Sequence, residues 1–184
     1  MAKKALVVLA KGFEEVEAIT PIDILRRAGV EVTVAGVGSD KVEAAHGVAF
    51  CADVVLEEFD GAADAVILPG GMPGAENLKK STELKSRMIR MASEGKLIAA
   101  ICASPAIVLA PWGLLNGKKA TCYPGFEKSF PSEVSYSSEA VVSDGNVITS
   151  KGPGTAFAFG LKITEMLVGK AQAELLAEQM VYKA

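Results

Sequence analysis

The fold class of this 184-residue chain is decided by the stretch Leu97-Ile98-Ala99-Ala100-Ile101-Cys102-Ala103-Ser104-Pro105. Its first five residues are all apolar, as expected of a strand that is covered on both faces. Ser104 and Pro105 then favour a helix, because serine is a common helix cap and proline is common in the first helical turn. The stretch therefore predicts a buried strand that turns at Cys102 directly into a helix.

The same alternation of short apolar runs and helical patterns continues along the chain, and it is typical of βαβ units with a mostly parallel sheet. Core strands are predicted at residues 5–9, 30–35, 65–68, 97–102 and 147–150. Residues 48–56 and 140–149 predict antiparallel additions, the second because Asp144-Gly145 favours a tight hairpin. Helices are predicted over 14–28, 81–94, 104–109, 154–167 and 170–182, with Ser81, Ser104 and Thr155 as caps.

The composition indicates one globular domain over residues 1–184, with 50% apolar and 22% charged residues and without repeats or linkers. A net charge of -3, from 19 basic and 22 acidic side chains that are interspersed, argues against a nucleic-acid partner. The chain has neither an apolar run long enough to span a membrane nor a signal peptide, so we expect a soluble cytoplasmic protein. Three cysteines without paired spacing favour a reducing compartment.

Cys102 is the first candidate functional residue. At the start of a helix a thiol faces free N–H groups and the positive end of the helix dipole, which predicts a lowered pKa. The carboxyl end of a parallel strand is also where ligand crevices form. The alternative is that Cys102 is a small core side chain, since free cysteine is among the most buried residue types.

A glycine-rich loop, Leu-Pro-Gly-Gly-Met-Pro-Gly at residues 68–74, follows another predicted strand. If the N–H groups of Gly71 and Ala103 converge, they form an oxyanion hole for a carbonyl under attack. The alternative is a tight turn without chemistry, because glycine-rich turns are common.

Three carboxyl groups open the first predicted helix. Glu14 and Glu15 are explained by the helix dipole. Glu17 differs, because its neighbours are apolar and Pro21 cannot donate the helical hydrogen bond to its carbonyl. A partly buried Glu17 is expected to have a raised pKa and to serve as a hydrogen-bond donor to a thiolate, or as an acid or base.

These motifs occur in a fixed order: Gly-Phe-Glu-Glu-Val-Glu at 12–17, Leu-Pro-Gly-Gly at 68–71, Ala-Ile-Cys-Ala-Ser-Pro at 100–105 and Ser-Lys-Gly-Pro-Gly-Thr at 150–155. In combination they resemble the ThiJ/PfpI superfamily nearly from end to end, and within it the DJ-1 branch. The resemblance implies a flavodoxin-like three-layer α/β/α sandwich and a homodimer, without metal or organic cofactor. It assigns Cys102 as nucleophile, Glu17 as its protonated partner, and Gly71 and Ala103 as oxyanion donors.

Other positions depart from that pattern. The protease-like branch has histidine immediately after its cysteine, where this chain has Ala103. The DJ-1 branch often carries a histidine where this chain has Tyr123, and a phenol is a poor proton acceptor at neutral pH. His46 stands where relatives carry arginine beside the pocket, although a lone loop histidine is usually only solvated. The further candidates for the pocket wall are Gly70, Gly152 and Pro153.

The resemblance predicts a cysteine-dependent glyoxalase or deglycase that acts on methylglyoxal, glyoxal or their early protein adducts. The competing hypothesis is a non-enzymatic redox-sensing or chaperone protein in which peroxide converts Cys102 to a sulfinate. A third is a general thiol hydrolase. The sequence leaves all three open.

Overall fold

Within residues 2–183, the part of the chain that the computed structural model describes, seven strands form one central sheet. The strands of this sheet are β1 Lys4–Leu9, β2 Glu31–Gly36, β5 Val54–Val55, β6 Ala65–Leu68, β7 Leu97–Ile101, β10 Val141–Asp144 and β11 Val147–Ser150. Their order across the sheet is β10-β11-β7-β6-β1-β2-β5, and every neighbouring pair is parallel except β10 and β11. Two small pairs lie outside it: β3 Lys41–Glu43 with β4 Ala49–Cys51, and β8 Lys119–Ala120 with β9 Ser135–Tyr136.

The helices form a layer on each face of the sheet. One layer contains α1 Glu15–Arg27, α4 Ala156–Val168 and α5 Lys170–Gln179. The other contains α2 Gly74–Lys80, α3 Thr82–Ser93 and a five-residue π-helical turn, Pro105–Leu109. Short 3₁₀ turns occur at Leu56–Glu58, Phe126–Ser129 and Pro153–Thr155. This arrangement confirms the predicted three-layer α/β/α sandwich.

The core follows from the apolar runs of the three central strands. Leu6, Val66 and Ile98 occupy matching register positions on β1, β6 and β7, and all three are fully buried. Burying one such side chain stabilises the fold by roughly 1.5–3 kcal/mol. The strands β2, β1, β6, β7 and β11 give the flavodoxin-like order 2-1-3-4-5. In that topology ligands bind where the strand order reverses, at the carboxyl ends of β1 and β6.

The predicted strands and most predicted helices agree with the structure, with three corrections. Residues 48–56 do not form one antiparallel addition, because β4 pairs with β3 and β5 joins β2 in parallel. The backbone is diverted between them, where Asp53 Oδ2 accepts a hydrogen bond from Val34 N–H. In the segment 104–109, where a helix was predicted, Pro105–Leu109 form a π-helical turn with wider hydrogen bonding than an α-helix. Helix α2 was not predicted, since its seven residues lack a clear apolar period.

Two of the three predicted caps have other roles. Ser81 does cap α3, because its Oγ accepts a hydrogen bond from Leu84 N–H. Ser104 instead donates its hydroxyl proton to Pro69 O over 2.6 Å and so ties the turn after β7 to the loop after β6. Thr155 bonds within its own turn, to Gly152.

Among the helices described within residues 2–183, none has the length and apolar character needed to cross a membrane.

Candidate active site

The candidate site lies at the carboxyl ends of four adjacent strands. Glu17 follows β1 on α1, Gly70 and Gly71 follow β6, Cys102 follows β7, and Gly152 follows β11. Parallel strands end at the same edge of the sheet, so residues far apart in sequence meet there. This edge is the position that the strand order predicts for a ligand crevice.

The backbone holds Cys102 in an unusual conformation. Its φ angle is +64°, a left-handed value that a residue with a Cβ rarely adopts and that costs about 1–3 kcal/mol. Two hydrogen bonds hold this conformation: Cys102 N–H donates to Ser150 O over 2.9 Å, and Tyr123 N–H donates to Cys102 O over 2.8 Å. A strained strand-to-helix turn of this kind presents a nucleophile above the sheet edge.

The Cys102 sulfur accepts hydrogen bonds from the backbone N–H groups of Gly71 and Ala103, and both hydrogen bonds act to lower the pKa of the thiol. The close packing of the loops requires glycine at position 70. A Cβ on Gly70 would lie 2.7 Å from Cys102 Cβ, 2.9 Å from Ala103 N and 2.9 Å from Glu17 Oε2. The two N–H groups that the sequence proposes as oxyanion donors are therefore brought together at the thiol.

Glu17 is fully buried directly behind the thiol. Its Oε2 accepts a hydrogen bond from Gly70 N–H over 2.8 Å, whereas its Oε1 has no hydrogen-bond partner among residues 2–183. Burial is the main cause that raises the pKa of Glu17 to about 7, and the negative charge of Glu14 adds to the rise. The direction agrees with the sequence prediction.

The pKa of Cys102 moves in the direction opposite to the prediction. Burial, followed by the charge of the neighbouring Glu17, raises the pKa of Cys102 to about 12 and outweighs the N–H groups of Gly71 and Ala103. The helix whose dipole was expected to lower this pKa is only a five-residue π-helical turn. The prediction that a helix start lowers the pKa of this thiol is therefore wrong. Cys102 can be a thiolate at neutral pH only when the neighbouring Glu17 is protonated.

A cavity of about 250 Å³ opens onto Cys102. Its wall is formed by the predicted residues Gly71, Cys102, Ala103, Tyr123 and Pro153, and by Glu14, Met72 and Phe126, which the sequence analysis did not predict. Gly152 lies beneath the wall, where a Cβ would stand 3.1 Å from the Tyr123 ring. Gly70 is buried behind it. Met72 lies in the glycine-rich loop and Phe126 stacks edge-on against Tyr123, so only proximity along the chain to known candidates could have suggested them.

His46 does not line this cavity. It is an exposed residue of the loop between β3 and β4, and it is held by Glu15, which accepts from His46 N–H over 2.7 Å and contacts Nδ1 at 2.9 Å. Glu14 Oε2 lies 3.5 Å from the same Nδ1, and these carboxyl groups raise the pKa of His46. Glu14, Glu15 and His46 have metal-ligand atoms within 4.8 Å of one another. Both Glu15 oxygens are already engaged by His46, so an ion pair explains the cluster.

The other two cysteines lie in different surroundings. Cys51 is exposed on β4. Cys122 is buried, and burial followed by the charge of Glu127 raises its pKa to about 12, with no opposing contribution from an N–H group of residues 2–183. Cys102 is thus distinguished by its two N–H donors and its adjacent carboxyl group.

The fold and the site together define a class: flavodoxin-like α/β proteins with a cysteine at a strained strand-to-helix turn beside a buried glutamate. Residues 3–166 match the family model described as the DJ-1/PfpI family. The chain belongs to this family, which confirms the resemblance read from its motifs.

Relatives in several eukaryotes are similar over almost the whole chain. The "Parkinson disease protein 7 homolog" of Danio rerio is 43% identical over 186 residues, covering 98% of each chain. The "Glutathione-independent glyoxalase DJR-1.2" of Caenorhabditis elegans is 36% identical and is covered to 96%. The "Protein DJ-1 homolog B" of Arabidopsis thaliana is 41% identical over 98% of this chain, but the chain spans only 42% of that longer protein.

Among solved structures, one described as "Toxoplasma gondii DJ-1, oxidized" superposes with a TM-score of 0.96 at 43% identity, with both chains covered completely. Agreement at this level confirms the flavodoxin-like fold.

Proposed function

We propose that this protein is a cofactor-independent glyoxalase that uses Cys102 to convert methylglyoxal or glyoxal to hydroxy acids, and that also accepts the early adducts of these aldehydes on proteins. One observation carries the proposal: the Cys102 sulfur is in contact with two backbone N–H donors, from Gly71 and Ala103, and with the buried carboxyl group of Glu17. The name of the Caenorhabditis elegans relative supports the reaction class.

The thiol and the carboxyl group act in this proposal as a pair that shares one proton. At low pH both groups are protonated, and the first proton leaves with the pKa of about 7 that burial gives Glu17. The remaining proton resides on either the sulfur or Glu17, because the two sites are adjacent and interact strongly. The N–H groups of Gly71 and Ala103 stabilise the form in which the sulfur is the thiolate. Glu17 then holds the proton.

The chemistry proceeds from that form. The thiolate adds to the aldehyde carbon of methylglyoxal, and the N–H groups of Gly71 and Ala103 receive the developing oxyanion. Glu17 first gives its proton to this oxyanion. The resulting carboxylate removes the proton of the former aldehyde carbon to form an enediolate and returns it to the neighbouring carbonyl carbon, and transfer of the hydroxyl proton to the other oxygen leaves a thioester of the hydroxy acid. Water hydrolyses the thioester to lactate and restores the thiol. The overall change is methylglyoxal plus water to lactate, without an external oxidant.

Tyr123 borders the cavity at the position where relatives often have histidine, and its side chain is 45% exposed. In the proposed reaction it packs against the bound carbonyl compound and donates a hydrogen bond, while Glu17 supplies proton transfer. If Tyr123→His raises turnover of methylglyoxal steeply, the natural residue limits the reaction.

The test is lactate formation from methylglyoxal by the purified protein, the Cys102→Ser variant and the matched Cys51→Ser variant. We expect turnover that Cys102→Ser abolishes and Cys51→Ser retains. Equal rates for wild type and Cys102→Ser would refute the proposal. Ester turnover lost with Cys102, in the absence of lactate formation, would favour a general thiol hydrolase.

A redox-sensing or chaperone role is the second candidate, because the protonated carboxyl group of Glu17 lies beside Cys102 and could donate a hydrogen bond to a sulfinate. Two peroxide molecules would oxidise the thiolate to the sulfinate and be reduced to two waters. Mass spectrometry after mild peroxide should then find two added oxygens at Cys102. Equal oxidation of Cys51 and Cys122 would count against this role.

We also propose that the protein is a homodimer, as the family resemblance implies. Val16 and Ile19 on α1 are 47% and 44% exposed, and a second copy is expected to cover them. Light scattering during size-exclusion chromatography tests this: a monomeric mass at micromolar concentration would contradict it.

A further inference from the structure

Ser104 carries a hydroxyl group that the proposed reaction does not use. The residue is fully buried within the protomer, so its contacts do not depend on a second copy of the chain. Its Oγ donates to Pro69 O over 2.6 Å, and Pro69 O accepts no other hydrogen bond from residues 2–183. Because a buried carbonyl group without a donor is unfavourable, this single hydroxyl group anchors the start of the glycine-rich loop.

The peptide group between Pro69 and Gly70 connects Ser104 to Glu17. Its carbonyl oxygen accepts the hydrogen bond from Ser104, and its N–H donates to Glu17 Oε2 over 2.8 Å. A peptide group is planar, so a hydrogen bond at its oxygen also fixes the direction of its N–H. Hydrogen bonds in such a chain polarise one another, so the bond from Ser104 strengthens the bond to the carboxyl group.

The next peptide group, between Gly70 and Gly71, faces Cys102. Its oxygen accepts a hydrogen bond from Glu14 N–H over 3.0 Å, and its N–H donates to the Cys102 sulfur. The two peptide groups share Gly70, where the packing is so close that a Cβ would lie 2.7 Å from Cys102 Cβ. Ser104 therefore anchors the loop that carries both N–H groups.

These two N–H groups act on the same shared proton. Gly70 N–H stabilises a negative charge on Glu17, and Gly71 N–H stabilises one on Cys102. Once the pair has lost its first proton, one of the two side chains holds the charge, so a displaced loop destabilises the anion in either form. Glu14 is the other charged group that acts on Glu17, and it lies immediately before α1 rather than on this loop.

We propose that Ser104 is a positioning residue for the pair of Cys102 and Glu17. Its hydroxyl group holds the Pro69–Gly70 peptide in the orientation that presents two N–H groups of the loop to this pair. Ser104 does not line the cavity, so it acts only through the loop. The inference rests on the proposed function for the reaction that the pair performs, whereas the anchoring of the loop does not depend on it.

The experiment follows alkylation of Cys102 by iodoacetamide as a function of pH in wild type, Ser104→Ala, Ser104→Thr and Ser81→Ala. The thiolate displaces iodide, and peptide mass spectrometry identifies the modified cysteine. Ser81→Ala is the matched control, because Ser81 is also buried and its Oγ accepts from Leu84 N–H at the start of α3, away from the cavity. Urea unfolding establishes that each variant is folded.

We expect Ser104→Ala to raise the midpoint of the alkylation profile by about one pH unit, because the anion of the pair loses hydrogen bonding. Ser104→Thr keeps the hydroxyl group and should lie close to wild type, as should Ser81→Ala. If the larger threonine does not fit, the two alanine variants alone decide the question. An unshifted midpoint in Ser104→Ala, or an equal shift in a folded control variant, overturns the proposal.

Turnover of methylglyoxal provides a second arm. A midpoint raised by one pH unit lowers the thiolate fraction, so kcat of Ser104→Ala should fall about fivefold at pH 7 and recover at alkaline pH, with KM unchanged. If the alkylation profile shifts but wild type converts no methylglyoxal, the proposed function fails while the positioning role stands. If Ser104→Ala converts methylglyoxal with the wild-type pH profile, the positioning role fails while the proposed function stands.

Discussion

A carboxyl group links the strands β1, β6 and β7 at each end of these parallel strands, here called the amino edge and the carboxyl edge of the sheet. The pKa values of the two carboxyl groups are shifted in opposite directions. At the amino edge, Asp64 accepts a hydrogen bond from Lys4 N–H and pairs with Lys96 Nζ at 2.9 Å. At the carboxyl edge, Glu17 accepts one hydrogen bond, from Gly70 N–H, and lies fully buried beside Cys102. The pKa of Asp64 is lowered by Lys96, whereas burial raises that of Glu17 to about 7.

The difference separates a stabilising carboxyl group from a chemical one. Asp64 is satisfied as an anion, so its ionised form favours folding. Glu17 is poorly satisfied as an anion, so loss of the first proton from the pair formed by Glu17 and Cys102 opposes folding as the pH rises through 7. Groups with strongly shifted pKa values are concentrated at functional sites. Ligands of parallel sheets bind at the carboxyl ends of the strands, which is where Glu17 lies.

The largest effect is expected for Glu17→Gln. Because the folded-state pKa of Glu17 is raised from 4.5 to about 7, its contribution to stability is fully present below pH 4.5 and is lost as the pH rises through 7. Wild type should therefore lose about 3 kcal/mol relative to Glu17→Gln between pH 4 and pH 8. Urea unfolding of both proteins at the two pH values measures this. A constant difference would show that Glu17 is ionised without penalty.

The next contrast uses one glycine at each edge. Gly70→Ala places a Cβ against Cys102, Ala103 and Glu17, and displacing these groups by a fraction of an ångström should lower turnover of methylglyoxal about a hundredfold. Gly95 lies between α3 and β7, with φ +70° and open space around the position of a Cβ. Gly95→Ala should cost about 1–2 kcal/mol of stability and leave turnover unchanged. Equal turnover in the two variants would contradict the close packing at the site.

The smallest effect is expected for Asp64→Asn. Removing the charge breaks a partly exposed ion pair, which should destabilise the protein by about 1 kcal/mol at pH 7. Because the folded-state pKa of Asp64 is lowered, this stabilisation exists above its ordinary pKa and disappears as the pH falls through the folded-state value. Urea unfolding should show the two proteins converging in acid, and turnover per folded molecule should be equal.

Much of this contrast could be predicted from the sequence, because its parts are local. The apolar runs determined the strands, and the turn at Cys102, the paired glycines after β6 and a glutamate among apolar neighbours each carried a signal within a few residues. The carboxyl ends of neighbouring parallel strands lie side by side. Because each of these motifs follows such a strand end, the sequence predicts that Glu17, Gly71 and Cys102 lie close together.

The errors came from quantities that depend on the whole fold. The pKa of Cys102 is set mainly by burial, which the helix-start pattern does not reveal. Glu14 was explained by the helix dipole alone, yet it forms part of the cavity wall. The diversion between β4 and β5 depends on a contact with a strand distant in sequence, from Val34 N–H of β2 to Asp53, and the seven residues of helix α2 lack a clear apolar period. Patterns within one segment cannot encode them.

The central claim is that Cys102 and Glu17 share one proton and so provide a thiolate at neutral pH. The pH dependence of Cys102 alkylation by iodoacetamide, followed by mass spectrometry in wild type and Glu17→Gln, tests it most directly. We predict that the wild-type rate rises with an apparent pKa near 7 and then remains level, and that Glu17→Gln moves the rise to strongly alkaline pH. A wild-type rate that rises only at alkaline pH and is unaffected by Glu17→Gln would contradict the claim.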